Sequence, residues 1–184
     1  MKNLMKWMML GLLSIAMLGC GSKDPAAALG GPVVTPDASG YAEGTMGDTM
    51  ATEWFTFKVN NASLTDNYKG AVTAGEGEKL AVVNITLKST FDQDIPMFDS
   101  DFQIQWGEED DGYGYPVTSD DPAAFADGML ESSYTLGVKE TKTGDLVFRV
   151  PAGWNDFWLA FQEYFDSEDT QFDGNTFFVS FQAN

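Results

Sequence analysis

The chain offers one cysteine, no histidine and 28 acidic side chains with which to do chemistry. Without histidine, Ser-His-Asp and Cys-His catalysis, imidazole general bases and most zinc or copper sites are excluded together. Metal chemistry is left with oxygen ligands, and therefore with hard cations such as calcium. The acidic residues gather in Glu108-Glu109-Asp110-Asp111-Gly112, in Asp166-Ser167-Glu168-Asp169 with Asp173-Gly174-Asn175, and at Asp99 and Asp101. Clustered carboxylates on loops can coordinate calcium, which makes Asp110, Asp111, Asp166, Asp169 and Asp173 the candidate ligands. None of the groups follows the EF-hand loop: counted from Asp166, Gln171 stands where that loop needs glycine. A solvated acidic surface explains the same clusters. Paired carboxylates also serve glycosidases as acid and base, but no pair stands out and short loops leave little room for a sugar cleft. No catalytic residue is assigned, and the chain reads as a non-enzyme whose one conceivable cofactor is calcium.

Aromatic residues supply the other chemistry. Trp54, Trp158 and Phe178 fall out of phase with the inward-facing sets described below, and packing under a neighbouring strand, a loop or the linker accounts for them. Tyr113 and Tyr115 flank Gly114 in an expected exposed loop. They are the candidate binding residues, since exposed rings contact carbohydrate or protein partners.

The formal net charge is −18. Phosphate binding needs clustered Lys and Arg, so a nucleic-acid partner is excluded and cationic partners are favoured.

Cys20 has its own context. Lys2 and Lys6 precede the apolar run Trp7–Leu18, which is shorter than the roughly 20 residues that span a bilayer and matches a signal-peptide core. Met17-Leu18-Gly19-Cys20 resembles a lipobox, in which the thiol is diacylated and the chain is cleaved just ahead of it. Residues 1–19 are thus expected to be a lipoprotein signal peptide, with Cys20 lipidated and the protein held outside the cell, in the bacterial envelope, by its lipid. Cleavage removes Lys2 and Lys6 and takes the formal charge to −20. Residues 20–51 carry almost no large apolar side chains and read as a flexible linker, with a root-mean-square span of about 30 Å.

From residue 52 to 184 the period is two, the mark of half-buried strands. Phe55, Phe57 and Val59 share a face, as do Ala81, Val83, Ile85 and Leu87. Phe102, Ile104 and Trp106, then Leu146, Phe148 and Val150, then Phe157, Leu159 and Phe161, and finally Phe177, Val179 and Phe181 repeat the pattern. Turn residues separate the runs, and Asp121–Ala126 offers one short helical turn behind Pro122. Six or more such strands predict an all-β, immunoglobulin-like antiparallel sandwich.

Three stretches carry a family resemblance: Gly75-Glu76-Gly77-Glu78 through Leu87-Lys88, Ile95-Pro96 through Phe102-Gln103-Ile104, and Thr143-Gly144-Asp145 through Val150-Pro151. Together they resemble the telokin-like, immunoglobulin-like domain of many bacterial secreted proteins and lipoproteins, across most of residues 53 to 163. The resemblance implies the fold and brings no catalytic residues. The resulting expectation is a lipid-anchored, extracytoplasmic binding or interaction module whose partner is a protein or an envelope polymer. The rivals are a calcium-stabilised spacer and a carboxylate-dependent accessory protein acting on cell-wall polymers.

Overall fold

The structure, a computed structural model, describes residues 29–107, 112–167 and 170–184. Strands begin earlier than composition suggests. β1 (Val33–Val34), β2 (Tyr41–Thr45) and β3 (Thr49–Ala51) lie inside the stretch that reads as linker. β1 runs parallel to β3, with Val33 opposite Thr49. Ala42, Met50 and Ala51 are buried, and the buried Thr49 hydroxyl donates to the Gly30 carbonyl at 2.7 Å. Gly31 has φ +76°, and a Cβ there would stand 2.2 Å from the Gly47 carbonyl oxygen, so only glycine fits. The linker boundary at residue 51 is therefore corrected: the domain starts at or before β1. The strands are two to five residues long, and they are held by pairing to distant segments, which leaves no local period to detect.

A tight turn closed by Thr52 leads into β4 (Phe55–Thr65), followed by the ribbon β5 (Asn67–Tyr68) and β6 (Val72–Thr73), then β7 (Glu78–Ser89). β8 (Ile95–Phe98), β9 (Phe102–Gln105) and β10 (Tyr113–Gly114) come next. The one-turn helix α1 (Val117–Asp120) follows, and the 3-10 turn Pro122–Ala124 fulfils the helical expectation there, capped by Asp121. β11 (Ser133–Leu136), β12 (Thr141–Pro151), β13 (Asp156–Ser167) and β14 (Thr170–Gln182) complete the chain.

Two five-stranded sheets face each other, ordered β1-β3-β4-β7-β12 and β10-β9-β13-β14-β2, so the predicted β-sandwich is the fold. The period-two sets point where expected, Phe55, Phe57, Ile85, Phe102, Phe148, Phe157 and Phe177 being essentially inaccessible, except that Trp106, expected inward with Phe102 and Ile104, lies past the end of β9, is only partly buried and reaches the outer face. Phe57 is the hub, with ring centroids 5.5 Å from Phe102, 5.9 Å from Phe161 and 6.2 Å from Phe177. Each such edge-on pair contributes about 0.5–1.5 kcal/mol beyond area burial.

The two outer faces differ. On the first sheet Leu80, Val82 and Val147 are covered by Tyr68, Val72, Val117 and Met129, brought over by the β5–β6 ribbon, α1 and the loop after it. Beside that patch the polar side chains satisfy one another. Asn60 donates to Asn84 and Thr86 at 2.9 and 2.8 Å, and Asn84 donates to Asp145 at 2.6 Å. The second sheet has no such cover among the described residues.

Candidate functional site

Register on the second sheet sets side chains in rows across the strands. One row runs Tyr113, Gln105, Trp158, Ser180, Thr45. The next runs Gln103, Ala160, Phe178, Glu43. These residues alternate with the buried Ile104, Leu159, Phe177 and Val179, so the pleat itself turns them outward. The small Ala160 between Gln103 and Phe178 lowers the floor of the second row.

The result is a shallow groove of about 880 Å³ over the first row, which Trp106 and Trp158 help to line. Trp106 lies across β10, where a Cβ on Gly112 would come within 2.6 Å of the indole nitrogen. Glycine at 112, just ahead of that strand, leaves room for the ring. A second hollow of about 370 Å³ adjoins it and shares Gln103, Gln105 and Phe178. Trp158 is 39% exposed and Tyr113 55% exposed, so both rings meet solvent. Tyr113 and Tyr115 pack edge to face, with centroids 6.1 Å apart at 81°. Gln105 Nε2 donates to Gln103 Oε1 at 2.7 Å, which orients both amides on the groove floor. Among the described residues no Lys or Arg lines either hollow. Asp48 is held in its turn by the Thr45 backbone N–H at 2.8 Å and hydroxyl at 3.0 Å. Glu43 makes no hydrogen bond or ion pair among the described residues.

The expected site residues divide. Tyr113 and Tyr115 are exposed and adjoin the groove, in a strand and its continuation rather than a free loop. Trp54 is partly buried against the core, as expected. Trp158 and Phe178 are corrected: among the described residues no strand or loop covers them, and both line the groove. Cys20, Asp110, Asp111 and Asp169 lie outside the described residues. Asp166 and Asp173 belong to the β13–β14 hairpin by backbone pairing, opposite Gln171 and Tyr164, and their side chains lie outside the description. Among the described residues no group of three or more Asp, Glu, His or Cys is placed to hold a metal ion.

Asp99 and Asp101 are structural. Asp99 is buried and accepts from the Thr118 hydroxyl and, at 2.8 Å, from the Ser119 hydroxyl. Asp101 accepts from the Phe98 backbone N–H at 2.8 Å. Burial pushes its carboxyl above the usual range, that hydrogen bond opposes the shift, and the nearby Asp99 charge adds to it. Sequence reasoning missed Gln103, Gln105 and Glu43 as groove residues. The first two were legible as outward-facing, but only the β9–β13 register sets them beside Trp158, and Glu43 comes from the stretch that reads as linker.

No family model and no curated protein matches the chain. Solved structures do. The candidate lipoprotein ycdA of Bacillus subtilis superposes with a TM-score of 0.54 at 15% identity over 73% of this chain, which spans only 38% of the ycdA chain. The yjhA protein of Bacillus subtilis superposes with a TM-score of 0.52 at 15% identity, covering 77% of this chain and 99% of its own. A β-sandwich protein of Clostridium difficile gives a TM-score of 0.42 at 12% identity over 76% of this chain and 93% of its own. At these identities the first two likenesses show the fold, and the chain is a β-sandwich of the kind found in ycdA and yjhA.

Proposed function

We propose that this chain is a lipid-anchored, extracytoplasmic module of the telokin-like type that binds its partner through the outer face of the second sheet. The observation that carries the reading is the contrast between the two outer faces. Among the described residues the first is covered by its own apolar cluster with Asn60, Asn84 and Asp145 bonded to one another beside it, while the second leaves Trp158, Tyr113 and Tyr115 partly in solvent around a groove that nothing covers. Exposed aromatic side chains on a rigid scaffold give large contact area at low ordering cost, which is what a binding surface needs. The lipobox-like run into Cys20 and the candidate-lipoprotein name of ycdA support an envelope address. The test is cross-linking on intact cells carrying the tagged full chain, with mass spectrometry of what is captured. One dominant envelope partner, lost in Trp158→Ala, is the expected result. Capture that Trp158→Ala leaves unchanged contradicts it.

A further inference from the structure

We infer that the second-sheet face takes an uncharged polysaccharide, laid over both hollows. The inference rests on the reading of that face as the binding surface, and it names the ligand class.

The first support is the pairing of ring and amide. A pyranose has a face of C–H bonds, which stacks on an aromatic ring, and an edge of hydroxyls, which needs donors and acceptors side by side. Trp158 offers the ring, and its register partner Gln105 offers the amide. Each glutamine amide has two donor hydrogens and two acceptor lone pairs. The Gln105–Gln103 hydrogen bond uses one donor and one acceptor, which leaves Gln103 Nε2 and Gln105 Oε1 for neighbouring hydroxyls. Because that bond already fixes both side chains, little rotamer entropy remains to be lost on binding.

The second support is length. The two hollows share Gln103, Gln105 and Phe178, and Tyr115 and Gln162 carry the second one onward. From the Tyr113 strand to the Trp158 strand is two strand spacings, about 9.5 Å, too far apart for one sugar, so the two rings serve different sugars of one chain.

The third support is charge. With Glu43 and Asp48 at one end of the groove, no cation in its lining among the described residues and a net charge of −18, the face repels polymers that carry phosphate or carboxylate. A peptide that binds by adding a strand needs a free strand edge, whereas the groove floor is β9, β13 and β14, each already paired on both sides.

The experiment is affinity electrophoresis of the detergent-solubilised full chain through gels containing mannan, dextran, hydroxyethylcellulose or anionic polygalacturonate. At least one neutral polysaccharide is expected to retard the protein, and polygalacturonate is not. Trp158→Ala and Gln105→Ala are each expected to weaken that retardation about tenfold, the size of a hot-spot contact, with cooperative melting retained in both. No retardation by any neutral polysaccharide, equal retardation by polygalacturonate, or full retardation of both variants overturns the inference. If intact-cell cross-linking still captures a partner in a Trp158-dependent way while no neutral polysaccharide retards the chain, the glycan assignment falls and the binding face stands. If capture ignores Trp158, the face falls with it.

Discussion

Glu163 on β13 accepts the Asn175 side-chain amide of β14 at 2.7 Å, from a position with no solvent exposure. Its other carboxylate oxygen takes the Glu53 backbone N–H at 2.7 Å. Glu163 continues the inward-facing set of Phe157, Leu159 and Phe161, and the register shift beside it sets it opposite two residues of β14, Gly174 and Asn175, so β14 carries the extra residue of the bulge. One carboxylate thus ties the approach to β4 to the last hairpin. Glu163→Ala is expected to destabilise the protein by roughly 2–4 kcal/mol, because buried N–H groups lose their acceptor. Glu163→Gln, which keeps one acceptor, costs less than half as much. Chemical denaturation of the two variants checks the order.

The N-terminal strands yield a second prediction. β2 pairs in parallel with β14, from Tyr41 opposite Thr176 to Thr45 opposite Ser180. A chain beginning at residue 29 is expected to melt with the full-length cooperativity. A chain beginning at residue 52 loses β2 and the buried Met50 and leaves the β14 edge unpaired, so it is expected to aggregate or unfold at lower temperature. Equal melting of the two chains would restore the linker boundary at residue 51.

Most of the sandwich was legible in the sequence, because half-buried strands expose their period directly. Phe55, Phe57 and Val59 are all buried, and so are Ala81, Val83, Ile85 and Leu87. What was hidden has a common cause. The pairing of β2 with β14 joins residues 135 apart, as at Tyr41 and Thr176, and no local pattern reports it. The groove is hidden for the same reason. Gln105 and Trp158 each read as outward, but their adjacency is a property of register alone. Tyr113 and Tyr115 were found because a pair of rings around a glycine is a local signal.

Asp101 gives a prediction for pH. Burial holds its carboxyl above the ordinary value of 3.8, so the folded state keeps its proton to higher pH than the unfolded chain does. Stability from this group is therefore greatest below the unfolded value and is lost as pH rises through the raised folded value. Asp101→Asn keeps an acceptor for the Phe98 N–H and cannot ionise. Its melting temperature is expected to match that of the unaltered protein below about pH 3.8 and to exceed it increasingly as pH rises toward neutrality. Thermal melts of both proteins across that range make the comparison.

The central claim is that one outer face binds and the other does not. The direct measurement places a photo-cross-linking amino acid at Gln105, on the floor of the groove, or at Thr141, exposed on the outer side of the first sheet. Each full-length protein is illuminated on intact cells, and the captured species are compared. The account predicts a discrete envelope partner from Gln105 and none from Thr141. Capture from Thr141 alone, or equal capture from both positions, would contradict it.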